Sequence, residues 1–245
     1  MKKLLTSILI LFFIGQISYS QDWDFEKPDY SKIEKNIKDK KSNLYYESLM
    51  NRFSKADSTL SLNEKRHLYY GYTFQESYSP YGRSTYEDSL RNVLQEENLA
   101  RVDFEKIIAY GDKILSTNPF NLDALNYQLF AFEQTKDQEA FQKKLIQLRT
   151  IVDVLMSSGN GRTKEDAFYV INTSHEYNLL SILGFKFGGS QHLIEHYDYL
   201  SVAENNQDIE GFYFDVSLKT YPFSDSSKLH NFSFFIGSRP NENSL

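Results

Sequence analysis

The segment RVDFEKIIAYGDKILSTNPFNLDALNYQLFAFEQTKDQEAFQKKLIQLRTIVDVLM, residues 101–156, decides the fold class. Phe104, Ile107, Ile108, Gly111, Ile114 and Leu115 recur at i, i+3, i+4 and i+7 spacing, so a helix through them carries one apolar stripe, with Asp103 as its cap. Asn118-Pro119 ends it, because the residue before a proline is pushed out of the α region and the proline cannot donate to the helical ladder. Leu122, Leu125, Leu129 and Phe132 mark a second helix. Phe141, Leu145, Leu148, Val152 and Leu155 mark a third that starts from Asp137. Helices joined by turns this short pack as antiparallel neighbours.

Working toward the N-terminus, the same rules predict four more helices. Ser31 with Glu34 is a capping box for a helix bearing Ile33 and Ile37, and Ser42 caps one through Tyr45, Tyr46, Leu49, Met50 and Phe53. Ser61 with Glu64 opens a helix through Leu68, Tyr69 and Tyr72. Tyr78, Pro80 and Gly82 then break the pattern before a third box, Ser84 with Glu87, precedes Leu90, Val93 and Leu94. Seven helices are expected up to Met156.

Toward the C-terminus the rhythm changes at Ser157-Ser158-Gly159-Asn160-Gly161, a run that no helix or strand carries in its interior. A short buried strand over 167–171 and a helix over 174–183 follow, and Gly188-Gly189 marks a turn. Phe212, Phe214, Val216 and Leu218 then alternate with Tyr213, Asp215, Ser217 and Lys219, the period of a half-buried strand. Phe232, Phe234 and Ile236 repeat that period, and the connection 220–228 is long enough for the two strands to pair antiparallel. The expected fold is α+β: an N-terminal antiparallel helical array over 21–157, a C-terminal unit over 163–237 with a small antiparallel sheet and a helix, and a polar tail over 238–245.

Residues 1–20 read as a signal peptide. Lys2 and Lys3 precede the apolar run 4–17, and Ser18-Tyr19-Ser20 is a small-x-small cleavage signal. The run falls short of the roughly 20 residues that a spanning helix needs, and the chain has no cysteine to carry a lipoprotein lipid or a disulfide. Loss of the two lysines leaves 25 basic against 33 acidic residues. That balance, with no basic stripe, excludes a phosphate-backbone binder. The chain is therefore expected to be exported to the periplasm or beyond, without insertion in the membrane.

The sharpest local motif is His192-Leu193-Ile194-Glu195-His196. On a helix, residues four apart share a face, so two imidazoles can bind one Zn²⁺ with Glu195 as general base on its water. In a strand the same residues span about 13 Å, far beyond the reach of two Zn–N bonds of about 2.1 Å. Gly188-Gly189 before the string and the β-formers Tyr197, Tyr199 and Leu200 after it favour the strand. His175-Glu176 beside Ser174 could suggest a nucleophile and its base, but adjacent residues point apart, and a helix cap at Ser174 is the simpler reading. The tyrosines between Tyr69 and Tyr81 either line a groove for a peptide or glycan or pack into the core, since Leu68, Tyr69 and Tyr72 already fit a core stripe. A nucleophile elbow, a phosphate loop, a dinucleotide fingerprint and a calcium loop are all absent from the sequence.

Gly111, Pro119, Leu125 and Ala140 stand near positions favoured in a tetratricopeptide repeat, which the central stretch resembles over about one and a half repeats; the large aromatic of the first helix is absent, and a non-repeat bundle is the other reading. Tyr69-Tyr70-Gly71-Tyr72 with Tyr78-Ser79-Pro80-Tyr81, Glu176-Tyr177, and the strand 211–216 resemble a family of exported Bacteroidota proteins of unknown function. That resemblance implies no catalytic residue, cofactor or metal ligand. The function class expected is a non-enzymatic binding or scaffold module that presents a helical groove to a protein, peptide or glycan. The alternative is a secreted hydrolase, zinc-dependent through His192, Glu195 and His196. Intact-mass measurement of exported material should give a chain starting at Gln21; a mass that retains residues 1–20 would refute the cleavage.

Overall fold

The computed structural model describes residues 25–217. The expected signal peptide, the strand through Phe232, Phe234 and Ile236, and the tail 238–245 lie outside that range. Seven α-helices lead: α1 (Tyr30–Lys38), α2 (Tyr46–Ser54), α3 (Leu62–Gly71), α4 (Tyr86–Leu94), α5 (Arg101–Thr117), α6 (Leu122–Thr135) and α7 (Gln138–Ser158), with a 3₁₀ turn, Tyr72–Phe74, prolonging α3. Then come β1 (Phe168–Tyr169), α8 (Ser174–Ile182), β2 (Phe187–Ile194), β3 (Tyr197–Val202) and β4 (Gly211–Asp215). The fold is α+β with the helical array at the N-terminal side.

The stripes bury as their spacing dictates. Ile33 and Ile37, Leu49 and Phe53, Leu68 and Tyr69, Ile107 and Ile114, and Leu122, Leu125, Leu129 and Phe132 are all buried. In α7 the second half is buried through Ile151, Val154 and Leu155, whereas Phe141, Leu145 and Leu148 are only partly covered. Residues from Ile33 to Val216 form one buried cluster that continues across Gly159, and a smaller cluster, Leu90, Ile107, Ile114, Ala124 and Ala131, joins α4, α5 and α6. Gly111 lets α5 and α6 approach: a Cβ there would stand 2.6 Å from Gln128 Cγ.

Caps are where the local rules slip by a residue or two. The Ser61/Glu64 box forms in full. The cap of α1 is Asp29, which accepts from the Lys32 amide at 3.0 Å, not Ser31; the earlier start sets Tyr30 edge-on to Tyr70 at 5.8 Å. Ser42 accepts from the Leu44 amide, ahead of α2 rather than at its start. Glu87 reaches back to the Ser84 amide at 3.3 Å, but α4 begins only at Tyr86. Asp103 sits three residues inside α5 and accepts from the Ala100 amide at 3.0 Å. Asp29 satisfies an orphan amide of the first turn, which several start positions allow, whereas the Leu44, Ser84 and Ala100 amides lie just ahead of their helices.

The sheet is mixed rather than antiparallel, with strand order β1-β4-β3-β2. β2, β3 and β4 form an antiparallel meander, and β1 lies parallel to β4 with Phe168 opposite Phe214. A parallel neighbour needs a crossover, and α8 supplies part of it between β1 and β2. β4 is flanked by β3 and, at Phe214 and Asp215, by β1; the strand expected over 232–236 lies outside the described residues. Ser158, the last residue of α7, ties the array to the sheet: its buried hydroxyl donates to Leu155 O and accepts from the Tyr169 amide at 3.0 Å.

Leu125→Ala should lower the unfolding free energy by about 2–5 kcal/mol, from lost burial and a residual cavity. Lys136 ends α6 exposed and left-handed at φ 60°, so Lys136→Gly should add about 1 kcal/mol by removing the Cβ penalty. Denaturant midpoints check both; a Leu125→Ala midpoint equal to the parent's would show that α6 is not a core helix.

Candidate functional site

The residues around α8 sort by helical face. His175 points into the core, where its Nε2 is 2.9 Å from Phe120 O and its Nδ1 is 2.7 Å from the Tyr69 hydroxyl. A carbonyl can only accept, so the hydrogen-bond network assigns the proton to Nε2, and the Tyr69 hydroxyl donates to Nδ1. The same hydroxyl oxygen accepts from the Ile171 amide at 3.3 Å. Burial, above all, holds the Tyr69 phenol well above the ordinary tyrosine range. His175 is therefore used up in a structural bridge. Ser174 turns away, its hydroxyl donating to Asn172 Oδ1 at 2.9 Å, so the two form no dyad. Nor is Ser174 the cap: Thr173 precedes the helix, and the Asn172 side chain accepts the Ser174 amide.

Glu176, fully buried, faces the sheet. Gln191 Nε2 lies 3.4 Å from its Oε2, and the Tyr177 hydroxyl donates to Gln191 Oε1 at 2.7 Å. Burial pushes the Tyr177 phenol up to about 12, with the negative charges of Glu176 and Asp198 adding to it. Tyr81, 51% exposed, is pushed the same way by burial, then Asp198 and Glu176. Tyr78 donates to Ile171 O at 2.8 Å. The Tyr78–Tyr81 and Glu176-Tyr177 sequence motifs thus meet at the first turn of α8. The tyrosine groove does not form: Tyr69, Tyr70 and Tyr72 are core residues, Tyr72 donating to Thr117 O at 3.1 Å.

Asn178 faces α6. Its amide donates to Asp123 Oδ1 at 2.7 Å, while its own Oδ1 is buried and finds no hydrogen-bond partner among the described residues. Asp123 is exposed at the start of α6. Yet desolvation by the protein around it, reinforced by Glu87 of α4 and opposed by the Asn178 amide, raises its carboxyl above the ordinary aspartate value. Tyr127, one turn on, is raised by burial and by Asp123, with Arg91 of α4 opposing. Asp123 and Asn178 thus stand together where α6 meets α8, with Glu87 and Arg91 of α4 close enough to act on Asp123 and Tyr127. An open depression of 280 Å³ lies where the start of α5 meets the end of α6, lined by Arg101, Phe104, Gln134, Thr135 and Lys136.

The His192–His196 string is split. His192 and Ile194 belong to β2, while Glu195 and His196 form the two-residue turn into β3, Glu195 at φ 62°. Each side chain with a partner goes its own way: Glu195 to Lys164 at 3.5 Å, and His196 Nε2 to the buried Asp215 at 3.6 Å. Among the described residues no three His, Asp or Glu side chains converge in a manner that could hold a metal ion. Asp123, Asn178, Gln191 and Asp198 were not singled out by sequence reasoning. Asp123 reads only as an acid in a helix's first turn, and Asn178 carries no local signal at all.

The family described as "Domain of unknown function (DUF4919)" matches residues 31–221. The chain belongs to this family. The matched region runs from α1 through β4 and so contains both the Asp123–Asn178 pair and the Glu176 cluster. Neither the curated proteins nor the solved structures contain a match to the chain.

Tyr69→Phe should destabilise by about 1–3 kcal/mol, because it leaves His175 Nδ1 and the Ile171 amide buried without a partner. The denaturant midpoint checks this. A surface-like change below about 0.5 kcal/mol would mean that the bridge is not closed in solution.

Proposed function

We propose that the chain is an exported binding module whose surface where α6 meets α8, beside α4, takes a polar segment of a protein or peptide. The Asp123–Asn178 pair carries this reading. Asp123 is an exposed carboxylate with one oxygen held by the Asn178 amide, so its other oxygen is left to accept at the surface, and the complementary ligand brings N–H donors. Tyr127 supplies an aromatic wall beside Asp123. No described helix is long and apolar enough to cross a membrane, which agrees with an exported chain but does not locate it. The hydrolase alternative needs His192, Glu195 and His196 to act together, and their divergence weighs against it.

An immobilised peptide library probed with the parent and with Asp123→Lys, an exposed substitution, tests the proposal. Peptides held by the parent should bind the variant at least tenfold more weakly, while Lys143→Glu on exposed α7 surface should change nothing. Binding should also weaken as pH falls through the Asp123 pKa, and because that value is raised, the loss should begin at higher pH than an ordinary aspartate would give. Peptides indifferent to Asp123→Lys, or an array with no binder, would overturn this surface as the site.

A further inference from the structure

We infer that residues 25–29 form a strap that opens ahead of the rest of the fold and, by opening, bares the guanidinium of Arg66. Arg66, in α3, is only 4% exposed. A buried guanidinium needs acceptors for its donors. Its Nη1 donates to Ser157 Oγ at 2.9 Å, its Nη2 donates to the main-chain oxygen of Glu26, and its Nε lies 3.6 Å from the Glu26 carboxylate. The guanidinium carbon also stands 5.6 Å from the centre of the Tyr70 ring. Two of its oxygen contacts therefore come from the strap.

The strap is poorly anchored for that duty. Phe25 and Pro28 are half-buried, and Glu26, Lys27 and Asp29 are exposed, so it adds no fully buried apolar side chain to the core. Among the described residues its main-chain ties are the Glu26 amide donating to Ser157 O at 3.1 Å and, at the start of α1, Asp29 O accepting from the Ile33 amide at 2.9 Å. The Glu26 side chain is 74% exposed. A segment held by polar contacts at the surface opens at lower cost than the helices it covers. α1, just beyond, is held separately by buried Ile33 and Ile37 and stays docked when the strap lifts. The lifted state presents the N–H groups of a guanidinium fork, suited to a carboxylate, while the Ser157 hydroxyl goes on donating to Val154 O at 2.8 Å. In the closed state Glu26 fills that place, so the strap and an incoming carboxylate exclude each other at Arg66.

The test is arginine-specific labelling by phenylglyoxal on the full chain, read residue by residue by mass spectrometry. Glu26→Pro removes both the amide and the carboxylate. Arg66 should label at least tenfold faster in that variant than in the parent, with Arg101, fully outside the strap, unchanged; an Arg66 rate within twofold of the parent would overturn the inference. If the variant unfolds as a whole, hydrogen exchange on the parent decides the matter. The Glu26 amide should then exchange at least a hundredfold faster than that of Leu68 in α3, and equal protection would refute an independently opening strap.

Discussion

A phenol and an imidazole meet where three distant parts of the chain cross, and the placement of α8 depends on their contact. Tyr69 comes from α3, His175 from α8, and the Phe120 carbonyl from the turn between α5 and α6. The Tyr69 ring packs against those of Tyr70 and Phe120 at centroid distances of 5.1 and 5.8 Å. Net stabilisation from each buried hydrogen bond is modest, near 1 kcal/mol, but an unmet donor or acceptor in the same place costs about as much or more. The bridge therefore selects one orientation of α8. Any rotation of that helix that keeps Leu179 buried but moves His175 would strand the Tyr69 phenol proton, the imidazole and the Phe120 carbonyl together.

Once His175 is fixed inward, helical geometry assigns the neighbours. Glu176 is carried toward the sheet, where Gln191 and the phenols of Tyr177 and Tyr81 surround it. Asn178 is carried toward α6, where it meets Asp123. The two polar clusters beside α8 are thus consequences of one structural contact. They differ in kind: Glu176 is sealed from solvent, while Asp123 is open to it and still desolvated. The second condition suits recognition, because an exposed acceptor that water solvates incompletely gains more from an incoming donor than a fully hydrated one does.

The strap and the Asp123–Asn178 pair differ in anchorage. That pair stands on helices whose apolar stripes are buried, so its carboxylate is held in place. The strap relies on polar contacts to a buried cation. Burial of Arg66 is tolerable only while oxygens surround it, and some of those oxygens belong to a segment with little apolar burial of its own. Such a conflict between burial and anchorage makes a segment prone to open without loss of the core.

The sequence by itself determined the seven-helix array, the stop at Asn118-Pro119, the alternation of Phe212, Phe214 and Val216, and the lack of any disulfide. Those features follow from periodicities and backbone restrictions that act over a few residues. The position of a cap within a residue or two was less legible, as Asp29 and Asp103 show, because several starts satisfy the same orphan amides. Tyr69 and Tyr72 were legible as core candidates, but the choice between core and groove was not. Only tertiary structure brought Asp123 to Asn178, Glu176 to Gln191, Arg66 to Glu26, and β1 alongside β4. Contacts between residues tens of positions apart depend on how whole helices pack, and hydrogen-bond satisfaction in the assembled interior, not local spacing, decided them.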